Sequence, residues 1–138
     1  MLEFNLFLID YWYFSVPLFF FIFLFAYSEM NKGGKKIEPN ELTRLVNKES
    51  AILIDLRKKE DYENGHIMNA LNYPHQEFDN QMHELEKFKD RPIILVCDMG
   101  RNSANVGEKL KKAEFKKTFR LNGGMMTWTQ ENLPVVQK

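Results

Sequence analysis

The single cysteine of the chain, Cys97, stands where a protein fold could use a reactive thiol. It follows the apolar run at residues 92–96, which is typical of a buried strand. A short loop with Gly100 comes next, and glycine lets the backbone turn sharply before the helical pattern that follows. The start of a helix and the N–H groups of such a loop stabilise negative charge. They favour a thiolate near neutral pH and would hold an anionic substrate or a persulfide.

The residues after the cysteine form the predicted anion-binding loop. We expect Asn102 or Ser103 to cap the following helix and Arg101 to offer hydrogen-bond donors to an anionic sulfur donor. The other interpretation is that Cys97 is a small core residue, because free cysteine is among the most buried residue types. The predicted loop consists of Asp98, Met99, Gly100, Arg101, Asn102 and Ser103.

The pattern around this loop predicts an α/β domain. Short apolar runs, clearest at residues 51–55 and 92–96, alternate with segments of helical spacing from residue 37 onward. Strands separated by helices form a mainly parallel sheet, here of five strands, with helices on both faces. Active sites in such sheets lie beyond the carboxyl ends of the strands, which is where Cys97 is expected.

The N-terminal segment has a different composition. Residues 11–27 carry no charged side chain, and twelve of the 19 aromatic residues lie between Phe4 and Tyr27. We predict a membrane anchor at residues 1–30 that spans the bilayer at about residues 6–27. A cleaved signal peptide and a buried core helix are the alternatives. Residues 31–36 are predicted to form a linker, and residues 37–138 the soluble domain.

Charge and cysteine content limit the other possibilities. The 19 basic residues balance the 19 acidic ones and form no basic stripe, so we expect no nucleic-acid partner. One cysteine excludes an internal disulfide and fits a reducing compartment. Basic residues follow the apolar segment and none precedes it, so the positive-inside rule predicts a cytoplasmic C-terminal domain on a single-pass inner-membrane protein.

Three ordered motifs resemble those of the rhodanese family. The sequence CDMGRNS is similar to the six-residue loop C-x-x-G-x-R followed by Ser, with Asn102 in place of the arginine. LNGGMMTWTQENLPV resembles L-x-GG-x-x-x-W…LP, matched at Leu121, Gly123, Gly124, Trp128, Leu133 and Pro134. IDLRKKEDYENGHIMNALNYP resembles D-x-R…E-x-x-x-GHI-x-GA-x-N-x-P, matched at Asp55, Arg57, Glu60, Gly65, His66, Ile67, Ala70, Asn72 and Pro74.

The resemblance implies sulfur transfer through Cys97 from a thiosulfate- or persulfide-type donor to a thiol acceptor, or to cyanide in the test tube. It implies no metal and no organic cofactor. The supporting residues are expected to be structural: Asp55 and Arg57 as an ion pair, His66 holding a loop beside the sheet, Gly123 and Gly124 as a tight turn near the active loop, and Trp128 in the core.

Two departures leave alternatives open. Asn102 stands where many single-domain members have arginine, and Asp98 beside Cys97 would repel anionic donors. The second interpretation is a catalytically weak interaction or scaffold module at the membrane, with a membrane-protein partner. A cysteine phosphatase is the third, although that loop needs an arginine at the position of Ser103. His75 and His83 are expected to be isolated and exposed.

Overall fold

A computed structural model describes residues 1–30 and 32–137 of the chain. The chain divides into two compact units, Met1–Asn31 and Lys32–Lys138. Asn31, at the start of the predicted linker, and Lys138 lie outside the described residues.

The first unit contains two helices where one continuous span was predicted. Helix α1 covers Leu2–Asp10 and helix α2 covers Trp12–Met30, and the helical conformation is interrupted at Tyr11. The long apolar helix therefore begins after Asp10, and the start of the membrane span near residue 6 stays a prediction. The 19 residues of α2 extend over about 28 Å, close to the thickness of a bilayer core. By length and composition α2 is long enough to cross a membrane, and none of its residues is buried, so it is not a core helix.

The second unit is built on the five-stranded parallel sheet that the sequence predicted. The strand order is β1-β5-β4-β2-β3, and every neighbouring pair is parallel. Strand β4 lies in the centre, and all four of its residues are buried. The strands are β1 (Lys35–Ile37), β2 (Ile52–Asp55), β3 (Leu71–Asn72), β4 (Ile93–Val96) and β5 (Thr118–Leu121).

Helices cover both faces of this sheet. Successive side chains of a buried strand point to opposite faces, so both faces carry apolar side chains that pack against helices. Ile94 and Val96 of β4 join one apolar cluster, which includes residues of α3 and α7. Leu95 and Cys97 join the other cluster, with residues of α5 and α6. The helices are α3 (Pro39–Glu49), α4 (Lys59–Asn64), α5 (Phe78–Gln81) with the 3₁₀ helix Met82–Phe88, α6 (Arg101–Lys112) and α7 (Gly124–Gln130).

Strand β1 corrects the predicted linker, because Lys35 and Lys36 belong to the sheet. They pair with Phe119 and Arg120 of β5. The residues before them also pack closely on the domain: a Cβ atom added at Gly107 of α6 would lie 1.8 Å from the Gly33 carbonyl oxygen. The domain therefore begins at the glycine pair, about four residues before the predicted boundary.

Candidate functional site

Cys97 lies immediately after the central strand, at the carboxyl edge of the sheet. Its side chain is only 2% exposed and belongs to the cluster that packs against α6. The sulfur accepts a hydrogen bond from the Gly100 N–H, with an N–S distance of 2.9 Å. Among the described residues this is the one hydrogen bond to the sulfur, so a single N–H group is aimed at it where a ring of such groups was expected.

The helix after the loop begins earlier than predicted. Gly100, with φ 88°, occupies the N-cap position, and α6 starts at Arg101. The expectation that Asn102 or Ser103 caps the helix is wrong, because both lie within its first turn. The Ser103 hydroxyl instead donates to the Gly100 carbonyl oxygen at 2.8 Å, which fixes the turn from inside. Gly100 is the residue with the left-handed conformation that this turn requires.

The turn at Gly123 and Gly124 supports the loop from the other side. The Met125 N–H donates to the Cys97 carbonyl oxygen at 2.7 Å, and the Met126 N–H donates to that of Asp98 at 3.0 Å. Gly124 has φ 59°, and a Cβ atom there would lie 2.1 Å from the Cys97 carbonyl oxygen. The glycine pair thus lets the start of α7 hold the backbone of the cysteine loop.

A cavity of about 200 Å³ opens beside the cysteine and is called the Cys97 cavity. Asn102 and Asp98 of the predicted loop contribute to its wall, whereas Arg101 and Met99 are exposed and lie outside the lining. The role of Arg101 toward an anionic donor stays a prediction. The lining residues are Leu56, Arg57, Lys58, Asp61, His75, Cys97, Asp98 and Asn102.

Arg57 brings a fixed positive charge to this cavity. Its guanidinium donates to both carboxylate oxygens of the buried Asp55, with a closest distance of 2.8 Å, and to the Gly65 carbonyl oxygen at 2.7 Å. Burial alone would lower the pKa of Arg57, but the hydrogen bond and charge of Asp55, with the charges of Asp98 and Asp61, raise it. The expected ion pair is present, and it joins the end of β2 to the loop after α4.

Two further residues with predicted structural roles lie away from the cavity lining. His66 is buried, its Nδ1 lies 2.7 Å from the Tyr62 carbonyl oxygen, and its ring stacks on that of Tyr62. The backbone of His66 also pairs with that of Val136. Trp128 is buried in the core, and its Nε1–H donates to the Pro134 carbonyl oxygen at 3.0 Å. Both positions suit residues that hold the C-terminal segment against the domain.

His75, Lys58 and Asp61 reach the cavity without having been predicted as site residues. His75 is half-buried, which corrects the expectation that it is exposed and isolated. Its Nδ1 lies 3.3 Å from the Leu56 carbonyl oxygen and 3.5 Å from Asn102 Nδ2. The sequence signal that could have found it is its place just after β3, at the same sheet edge as Cys97.

Comparisons with known proteins agree on the family. The model of the rhodanese-like domain matches residues 38–131. The uncharacterized protein YibN of Escherichia coli (strain K12) is 36% identical over 123 residues, which cover 88% of this chain and 86% of YibN. The thiosulfate sulfurtransferase GlpE of Coxiella burnetii (strain RSA 331) is 31% identical over 94 residues, which cover 68% of this chain and 86% of GlpE.

Solved structures give the same result for the fold. The crystal structure of a rhodanese-related protein from Thermoplasma volcanium superposes with a TM-score of 0.68 and 25% identity. The match covers 75% of this chain and 99% of that one. The family model spans every strand from β2 to β5 together with the cysteine loop, so the resemblance of the three motifs is confirmed. The chain belongs to the rhodanese-like domain family.

Proposed function

We propose that this protein is a sulfurtransferase that carries sulfane sulfur as a persulfide on Cys97. The observation that carries the proposal is the position of the sulfur: it lies at the carboxyl end of the central strand, accepts the Gly100 N–H and borders a cavity with two cationic side chains, Arg57 and Lys58. A negatively charged sulfur is stabilised by such donors and charges. Membership of the rhodanese-like family and the similarity to GlpE support the same reaction class.

The proposed reaction has two balanced steps. The Cys97 thiolate attacks the outer sulfur of thiosulfate, an S–S bond forms at Cys97, the S–S bond of the donor breaks, and sulfite leaves with the bonding electron pair. An acceptor thiolate then attacks the outer sulfur of the Cys97 persulfide. The acceptor leaves as a persulfide, and the Cys97 thiolate is restored. A persulfide donor follows the same course with a thiolate as the leaving group.

We also propose that α2 anchors the domain in the inner membrane as a single-pass helix, with the catalytic domain in the cytoplasm. The support is the length and apolarity of α2, the absence of basic residues before it, and Lys32, Lys35 and Lys36 after it. A reducing compartment would keep the thiol available for persulfide chemistry. Donor, acceptor and bilayer are therefore the proposed partners, with a membrane-protein partner as a further one.

A second function, an interaction module without sulfur transfer, is favoured by one observation. The carboxylates of Asp98 and Asp61 line the same cavity as the cysteine and oppose the approach of an anionic donor. The two functions are distinguished by a transfer assay on the full-length protein in detergent, with thiosulfate or glutathione persulfide as donor and cyanide as acceptor. The sulfurtransferase produces thiocyanate, and Cys97→Ser does not. Equal thiocyanate formation by both proteins would overturn the proposal.

A further inference from the structure

His75 is held at the Cys97 cavity by the strand end that precedes it. His75 comes three residues after the end of β3, and its backbone N–H donates to the Leu56 carbonyl oxygen at 3.1 Å. The ring nitrogen Nδ1 lies 3.3 Å from that same oxygen. Both contacts fix the imidazole relative to the end of β2, in the wall of the cavity that also contains the cysteine.

These contacts leave one ring nitrogen available for proton transfer. The Leu56 carbonyl oxygen can only accept, so its contact pairs with Nδ1–H, whereas Asn102 Nδ2 can only donate, so its contact pairs with an unprotonated Nδ1. In the described part of the chain, Nε2 of His75 makes no hydrogen bond. The neutral imidazole that carries its hydrogen on Nδ1 presents Nε2 as a base, and the protonated imidazole presents Nε2 as an acid.

The charged groups around the imidazole are balanced. Arg57 and Lys58 contribute two positive charges to the cavity wall, and Asp61 and Asp98 contribute two negative charges. The remaining polar neighbour is the uncharged Asn102, 3.5 Å from Nδ1. The cavity wall beside the imidazole therefore carries as many cationic as anionic side chains.

We infer that His75 transfers the proton in sulfur exchange with thiol-derived persulfides, an inference that rests on the proposed function of Cys97. The Cys97 thiolate attacks the outer sulfur of R–S–SH, and the S–S bond of the donor breaks. His75 in its protonated form gives its Nε2 proton to the departing R–S⁻. The products are Cys97–S–SH, R–SH and neutral imidazole. In the second half of the cycle, neutral His75 takes the proton of an acceptor thiol.

This role identifies persulfides of thiols as the substrate class that uses His75. An alkyl thiolate is a basic leaving group, and thiol exchange is faster when the leaving sulfur is less basic. A proton from His75 removes that disadvantage. Sulfite, the leaving group from thiosulfate, is weakly basic and departs without a proton. Loss of the imidazole is therefore expected to slow the persulfide reaction and to leave the thiosulfate reaction nearly unchanged.

The test uses the full-length protein in detergent and the variant His75→Asn, whose side-chain amide keeps a donor near the position of Nδ1 but has no titrating group. Single-turnover loading of Cys97 is followed with glutathione persulfide and with thiosulfate over a range of pH. We expect His75→Asn to slow loading from glutathione persulfide by about 100-fold at neutral pH. Loading from thiosulfate should change less than about threefold, since no general acid acts there.

The pH profile separates proton transfer from a structural role. In the wild type, loading from glutathione persulfide should slow as the solution becomes more basic, because the general acid is lost, and this pH dependence should be absent in His75→Asn. His83→Asn, an exposed histidine of the 3₁₀ helix, is the matched control and should behave as wild type. Equal losses with both donors, or an unchanged pH profile, would overturn the inference. Failure of the proposed function is distinguishable, because then neither donor loads the wild type.

Discussion

At the scale of single residues, the cavity beside Cys97 is lined by charges that come from several parts of the chain. Arg57 and Lys58 follow β2, His75 follows β3, and Asp98 follows β4. The parallel sheet brings these strand ends to one edge, so residues far apart in sequence share a cavity. The two cationic and two anionic side chains of the lining give the cavity no formal net charge.

Asp98 is predicted to limit the reaction with anionic donors. Its carboxylate is exposed and lines the Cys97 cavity, so it repels the thiosulfate dianion through solvent. Asp98→Asn should raise the rate of sulfur loading from thiosulfate by about threefold to tenfold at low ionic strength. The gain should shrink as salt is added, because salt screens charges in solvent.

The matched control for Asp98→Asn is Glu60→Gln. Glu60 is also an exposed carboxylate, but it does not line the Cys97 cavity. The Glu60→Gln substitution should leave the rate of sulfur loading from thiosulfate unchanged. If both substitutions raise the rate equally, the effect comes from the overall charge of the domain, and the specific role of Asp98 is refuted.

At the scale of elements, an apolar pattern made some strands predictable from the sequence, whereas another strand forms only through tertiary pairing. Strands β2 and β4 were predictable because their buried residues form short apolar runs. Strand β1 was not, because Lys35 and Lys36 are polar and become a strand only by pairing with β5 at the sheet edge. The cysteine loop was recognisable from its motif, whereas a lone histidine such as His75 carries no pattern of its own.

The contact between α6 and the segment before β1 is predicted to need glycine. Gly107→Ala would improve helix propensity by about 1 kcal/mol, but its Cβ would lie 1.8 Å from the backbone oxygen of Gly33. Backbone cannot move as a side-chain end can, so we expect a net loss of about 1–3 kcal/mol in the free energy of unfolding. Urea unfolding followed by circular dichroism measures it.

Asn105→Ala is the control for this prediction. Asn105 is an exposed residue of the same helix, where alanine gains helix propensity and meets no steric conflict. The variant should be as stable as the wild type or slightly more so. A Gly107→Ala protein that matches Asn105→Ala in stability would show that the segment at Gly33 does not pack closely on α6.

At the scale of the whole molecule, the chain combines an apolar N-terminal unit with a rhodanese-like domain. The first was predicted from its uncharged, aromatic-rich composition, and the second from its α/β pattern and its three ordered motifs. The break at Tyr11 was not predictable, since no glycine or proline stands at this point of the sequence. Membrane anchoring by the first unit is a prediction that cell fractionation tests.

We predict that the protein fractionates with membranes because α2 spans the bilayer. Ile22→Arg places a charge in the middle of the apolar helix, where insertion costs about 2.5–3.5 kcal/mol. We expect the wild-type protein to sediment with membranes and to be released by detergent but not by salt, and Ile22→Arg to sediment less. Ile22→Leu is the control and should behave as wild type. Salt-released wild-type protein would contradict a spanning anchor.

The central claim is that Cys97 carries sulfur, and the most direct measurement is the intact mass of the protein after it meets a donor. The reduced full-length protein is treated with thiosulfate or with glutathione persulfide, and its mass is recorded before and after cyanide is added. The account predicts a gain equal to one sulfur atom, located on Cys97, absent from Cys97→Ser and removed by cyanide. A wild-type mass that stays unchanged with both donors would contradict the account.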